Sequence, residues 1–247
     1  MNNEKNKPTY SLISKYRTVL MGLAIIMIMF CHMDVAQTHN DIPSTSIARA
    51  LHLFTVGVDI FLFLSGVGLY YSYTKKKQSY GEFEKKRLVR ILPYYFVIAG
   101  TTYLMYDIIM NHFTLGKLLS DLLFVTWFRE GNTRYWYILA IVVFYLLFPS
   151  LYRFVHTGKN GLLKVILFSI IWWTLVETVC KFIPDAATFR IALARLPIFV
   201  IGVYFGKLSF DKTEIRKSTA VILVLCGFVL FVGLKTPLLL LRQLKFS

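Results

Sequence analysis

The sequence predicts an all-α polytopic membrane bundle of about seven spanning helices joined by short loops. Three observations predict it. Hydrophobic residues make up 56% of the 247-residue chain and aromatic residues 16%, and the mean hydropathy is +0.58. Seven apolar stretches approach the roughly 20 residues that a helix needs to cross the hydrocarbon. Basic residues gather in alternate loops, the pattern of cytoplasmic loops in membrane proteins.

The stretches run over 18–37, 53–74, 90–110, 135–153, 161–182, 190–207 and 218–234. The first follows Lys15 and Arg17 and reads as a span rather than a cleaved leader, because its basic tail is long and no small-x-small site follows it. The second carries Asp59 and leads into Lys75-Lys76-Lys77. The third begins at the run Lys85-Lys86-Arg87-Leu88-Val89-Arg90, with Pro93 in a first-turn position that tolerates a missing amide donor. The fourth opens on Trp136-Tyr137 and closes at Arg153, the fifth holds Trp172-Trp173 and Glu177, the sixth holds Arg195, and the seventh holds Cys226. Residues 1–17 are left as a cytoplasmic N-terminal tail, 18–234 as one bundle and 235–247 as a short C-terminal tail, with no room for a separate soluble domain.

The N-terminal tail and the loops near 75–90, 153–164 and 207–217 carry 18 of the 28 Lys and Arg residues. The chain is therefore expected to be a multi-pass protein of the cell membrane with its N-terminus cytoplasmic. The same placement assigns the net charge of +15 to a lipid surface and argues against nucleic acid as a partner. Cys31, Cys180 and Cys226 lie in apolar spans and are odd in number, so they define no disulfide framework. His32, His39, His52, His112 and His156 have no ligand spacing, and no metal is expected.

Ionisable residues inside spans carry the chemical signal, since a charge at the bilayer centre costs roughly 2.5–3.5 kcal/mol on insertion scales. His32 lies about five residues from the outer end of the first helix, and Asp59 about six residues below the same surface on the second. At matching depth, the carboxylate would fix the imidazole tautomer and stabilise the imidazolium of a general base. The rival reading of the pair is a packing hydrogen bond between helices. Asp107 is expected to be solvated at the interface, and Glu177 to face the bundle interior or water. With Arg195 these residues suggest a polar cavity that opens outward. Arg87 and Arg90, three apart on one helical face, have the forked donors to grip a phosphorylated ligand; as topology-setting charge they would instead attract anionic lipid.

Four blocks then resemble the family 3 membrane acyltransferases, which O-acylate sugars and other acceptors from a cytoplasmic acyl-CoA. They are Phe30-Cys31-His32; Gly57-Val58-Asp59 through Ser65-Gly66; Lys86-Arg87-Leu88-Val89-Arg90-Ile91-Leu92-Pro93; and Trp136-Tyr137-Ile138 through Tyr145 to Pro149. A weaker fifth runs from Arg195-Leu196-Pro197 to Gly206, so the resemblance spans roughly residues 15 to 208. It implies His32 as catalytic base, Asp59 as its partner, and Arg87 with Arg90 on the phosphates of acyl-CoA, acetyl-CoA foremost. It implies a hydroxyl acceptor, most commonly a cell-envelope glycan. Two departures stand out. Met21 occupies the position eleven residues before the histidine where the family commonly has Arg or Lys, with Arg17 the nearest basic residue one turn lower. The family usually has about ten spanning helices, so the chain is expected to be a C-terminally short relative. Exposed polar interior would then be covered by a partner or a homo-oligomer. The competing expectations are a non-catalytic relative and a transporter whose intramembrane charges line a solute path, with a heptahelical receptor ranked last.

Overall fold

The computed structural model describes residues 8–38, 53–76, 79–110, 113–158, 160–183 and 186–215. In chain order these form α1 (Ser11–Thr38), a 3₁₀ turn (Leu53–Thr55), α2 (Val56–Lys75), α3 (Tyr80–Ile109), α4 (Leu115–Leu122), α5 (Val125–Glu130), α6 (Trp136–His156), α7 (Gly161–Phe182), α8 (Ala187–Leu193) and α9 (Leu196–Phe210). Among the described residues, six segments are long and apolar enough to cross a membrane: Ser11–His32, α2, α3, α6, α7, and Ala187–Phe210, which joins α8 to α9. The fold is the expected all-α polytopic bundle. The seventh apolar stretch, 218–234, lies outside the described residues.

Two helices start earlier than expected. Helix α1 begins at Ser11, inside the stretch assigned to the tail, and α3 begins at Tyr80 rather than near 90. The reason for the second is a capping box. The Glu82 amide donates to the Ser79 hydroxyl at 3.4 Å, and the Ser79 amide donates to the Glu82 carboxylate at 3.2 Å. Both donors would otherwise be orphaned at the first turn, and the Glu, Lys and Arg residues that follow are good helix formers. The basic run is thus helical. Pro93 lies in the helix interior instead of its first turn, where its ring removes the bond to the Val89 carbonyl. The connection between the third and fourth spans also contains structure, in α4 and α5. Thr114 caps α4 by accepting from the Lys117 amide at 3.2 Å.

Helix α2 is the centre of the packing, and α9 and α1 lie against it. A Cβ on Gly66 would stand 2.5 Å from the Phe199 carbonyl and 2.8 Å from the Val203 amide, and one on Gly202 would overlap the Phe63 carbonyl. The two helices run parallel, with backbones in contact at these points. Lipid tails are as apolar as the helices, so close approach of bare backbone supplies the van der Waals contact that holds spans together. Helix α1 crosses the other side antiparallel: Gly57 of α2 abuts the Ala24 carbonyl and the Met27 and Ile28 side chains, and the Phe30 and Phe54 rings meet at 5.8 Å. Phe83 fastens α3 to this unit, stacking on Phe148 of α6 at 5.1 Å and meeting Tyr73 of α2 edge-on at 5.2 Å. The isolated bridge between Thr9 and Glu214 brings the segment before α1 and the segment after α9 to one end of the bundle, the end where α2 finishes and α3 begins. That basic end is the reference for the description below. The outer faces of α1 and α7 remain open along their apolar residues, such as Val19, Leu23 and Met29, or Ile166, Ile170 and Trp173, as surfaces in contact with lipid should.

Gly202→Leu should separate α2 from α9 and lower the melting temperature of the protein in detergent, since overpacking costs at least about 1–3 kcal/mol where side chains alone must yield and here backbone must. Melting unchanged from wild type would contradict the close contact.

Candidate functional site

Two constellations lie at opposite ends of the bundle. At the end away from the basic loops, the sixth span breaks between α8 and α9, and Arg195 sits at the break. Broken helices at membrane depth persist only when other groups satisfy the freed carbonyls. Here the Arg195 Nη1 donates to the Ile191 carbonyl at 2.6 Å, and Trp172 Nε1 donates to the Leu193 carbonyl at 2.8 Å. The Arg195 Nε stands 3.2 Å from Asp59 Oδ1, and the guanidinium lies over the Trp136 ring, 4.8 Å from its centroid. One side chain thereby ties the first turns of α2 and α6 to the start of α9. Asp59 in the first turn of α2 suits the positive end of that helix, and its charge offsets the arginine that caps α9.

This pairing corrects the expectation that Asp59 partners His32. Asp59 lies two residues beyond Gly57, which faces Ala24 to Ile28, so the antiparallel register sets it level with Ile25. His32 is seven residues farther along α1, about 10 Å at 1.5 Å per residue. The matching depths inferred from the sequence fail because α1 and α2 are offset. His32 has another orienting group. Its Nδ1 lies 2.8 Å from the Ile28 carbonyl. A carbonyl only accepts, so Nδ1 carries the proton and Nε2 of the neutral ring keeps its lone pair. The ring is exposed and is thus oriented as a proton acceptor by its own helix.

At the basic end, Arg87 and Arg90 are indeed together, and a third guanidinium joins them. Arg17 of α1 lies directly on Gly68 of α2, in the space where any side chain at 68 would have its Cβ. From there Arg17 acts electrostatically on Arg87, as does Arg90, and also on Tyr145 of α6. Arg87 is held: its Nη2 donates to the Ser72 hydroxyl at 3.0 Å and its guanidinium lies 5.3 Å from the Phe83 ring centroid. Arg17, the basic residue nearest to Met21, thus reaches the cluster from one turn lower. Gly68 is the signal in the sequence that permits it.

Away from the basic end, three further carboxylates are occupied elsewhere. Asp107, expected to be solvated, is 1% exposed and bound by Lys117 at 2.8 Å, because α4 folds back on the end of α3. That hydrogen bond raises the pKa of Lys117 above its usual value. The buried carboxylate of Asp121 accepts from Thr126 Oγ1 at 2.7 Å and from Asn132 Nδ2 at 3.2 Å, fixing the turn between α4 and α5. Glu177 accepts from Trp173 Nε1 at 3.0 Å and Arg190 Nε at 2.9 Å on the wall of an open cavity of about 460 Å³, as a residue facing water would. Among the described residues no group of His, Cys, Asp and Glu is placed to hold a metal ion.

A family model for the family 3 acyltransferase domain matches residues 18–242, nearly the whole chain. No curated protein and no solved structure matches it.

The Asp59–Arg195 contact should show in a double-mutant cycle. Asp59→Asn and Arg195→Gln, measured singly and together by thermal unfolding in detergent, are expected to be non-additive by about 0.5–3 kcal/mol. The Asp59→Asn and His32→Gln cycle should be additive. The reverse pattern would restore the His32–Asp59 pair.

Proposed function

The chain belongs to the family 3 acyltransferases, and from that premise we propose that it is a membrane O-acyltransferase moving an acyl group, acetyl foremost, from acyl-CoA to a hydroxyl of a cell-envelope glycan. The observation that carries this reading is the convergence of Arg17, Arg87 and Arg90 at the end of the bundle opposite His32. Three guanidiniums from two helices, gathered where α2 ends and α3 begins, suit a polyphosphate, for which forked donors are the best match. Arg17 and His32 share α1 and are fifteen residues apart, about 22 Å along the axis. A donor whose phosphates rest on the arginines and whose acyl arm extends along α1 would deliver its thioester toward the imidazole.

The chemistry follows from the tautomer. Nε2 of His32 takes the proton of the acceptor hydroxyl as its oxygen attacks the thioester carbonyl. The tetrahedral intermediate collapses with cleavage of the carbon–sulfur bond, and the imidazolium returns the proton to the departing thiolate. Ester and free CoA result, with no net change in the enzyme. Asp59 acts in this scheme through Arg195, by holding α2 and α9 in place. The cytoplasmic placement of the arginine end is supported by the basic-loop pattern; the segments around Thr9 and Glu214 meet at that same end.

His32→Ala should leave binding of acetyl-CoA intact while reducing transfer of labelled acetyl from acetyl-CoA to envelope glycan by about 10²–10⁴-fold, the usual contribution of a general base. Transfer at the wild-type rate would remove His32 from the mechanism.

A further inference from the structure

Glu84 stands out at the basic end. It is 5% exposed, and both carboxylate oxygens are buried with no hydrogen-bond partner among the described residues. It lies one turn before Arg87 on α3, close enough for the two charges to act on each other, yet Arg87 gives its hydrogen bond to Ser72. A buried carboxylate left without donors is an unstable arrangement, and each such group in a native fold calls for an explanation. Its chemistry is restrictive. An ionised carboxylate only accepts hydrogen bonds, and the phosphates that suit the neighbouring arginines have no donors to offer. For a carboxylate held ionised beside Arg87, the donors come from another part of the same ligand.

The helix direction indicates which part. Helix α3 leaves the basic end at Tyr80, so Glu84 lies three residues, about 4.5 Å, on the far side of Arg87 from the end that carries His32. An acyl arm running toward His32 leads away from Glu84, and the nucleotide of the donor remains beside it. We propose that Glu84 accepts hydrogen bonds from the ribose 2′-hydroxyl and adenine amino group of the nucleotide, and so makes the arginine cluster selective for a nucleotide-bearing donor over other polyphosphates. The proposal rests on the reading of the cluster as the donor phosphate site.

The test is equilibrium binding of acetyl-CoA, ADP and inorganic pyrophosphate to the full-length protein in detergent, for wild type, Glu84→Gln and Glu84→Asp. Glu84→Gln should weaken acetyl-CoA and ADP by about ten- to hundredfold, as expected for a lost charge-assisted hydrogen bond, and leave pyrophosphate unchanged or tighter. Glu84→Asp keeps the charge but withdraws the carboxylate by one methylene, and should show the same loss of ADP with pyrophosphate retained, even where the Gln variant fails to fold. Equal ADP affinity in wild type and variants overturns the assignment, as does tighter binding of all three ligands, which would make Glu84 a counter-charge only. Loss of acetyl-CoA without loss of ADP would place the contact on the acyl arm and overturn the nucleotide assignment. Wild type that binds none of the three removes the donor site itself, and the role of Glu84 with it.

Discussion

The arrangement depends on how closely other helices approach α2. In lipid there is no hydrophobic gain from bringing two apolar helices together, so the bundle must be held by backbone-close contact and by polar groups that have nowhere else to go. Helix α2 supplies both. Gly66 admits α9, Gly57 admits α1, and Gly68 admits the guanidinium of Arg17. Ser72 then receives Arg87 from α3, and Asp59 receives Arg195 from the start of α9. The bare positions bring α1 and α9 close enough for the Arg17 and Arg195 contacts, whereas Arg87 reaches Ser72 through the length of its own side chain.

The two ends of the bundle treat charge differently. Away from the basic loops, charges come with partners: Asp59 with Arg195, Asp107 with Lys117, Glu177 with Arg190. Such pairs cost less in an apolar setting than either charge alone, and they serve to fix the broken sixth span and the short helices between the third and fourth. At the basic end, Arg17, Arg87 and Arg90 repel one another, and Glu84 is buried nearby without a hydrogen bond among the described residues. Under the proposed function, a ligand that is anionic in one part and donates hydrogen bonds in another would complete this arrangement.

Much of this was legible in the sequence, for identifiable reasons. Spans of apolar residues follow from the thickness of the bilayer, and six stretches appear as helices at nearly the positions their length implied. The Arg87/Arg90 grouping followed from helical spacing alone. The early start of α3 was written in Ser79-x-x-Glu82, a local signal that the search for apolar length passes over because the first turns of the helix are charged. The partner of Asp59 was not legible. Depth along a helix can be counted, but the axial offset between two helices is set by where glycines let them touch, and a shift of seven residues moved His32 out of register with the carboxylate. Arg17 was visible only as the nearest basic residue to a vacant family position; its route across Gly68 depends on the same packing.

The most direct test of the account is equilibrium binding of acetyl-CoA to the purified protein in detergent, comparing wild type with Arg87→Ala/Arg90→Ala. Saturable binding by wild type that disappears in the double variant, with the helical content of the protein unchanged, is the expected result. No binding by wild type, or equal binding by both proteins, would contradict the assignment of the arginine cluster to the acyl donor.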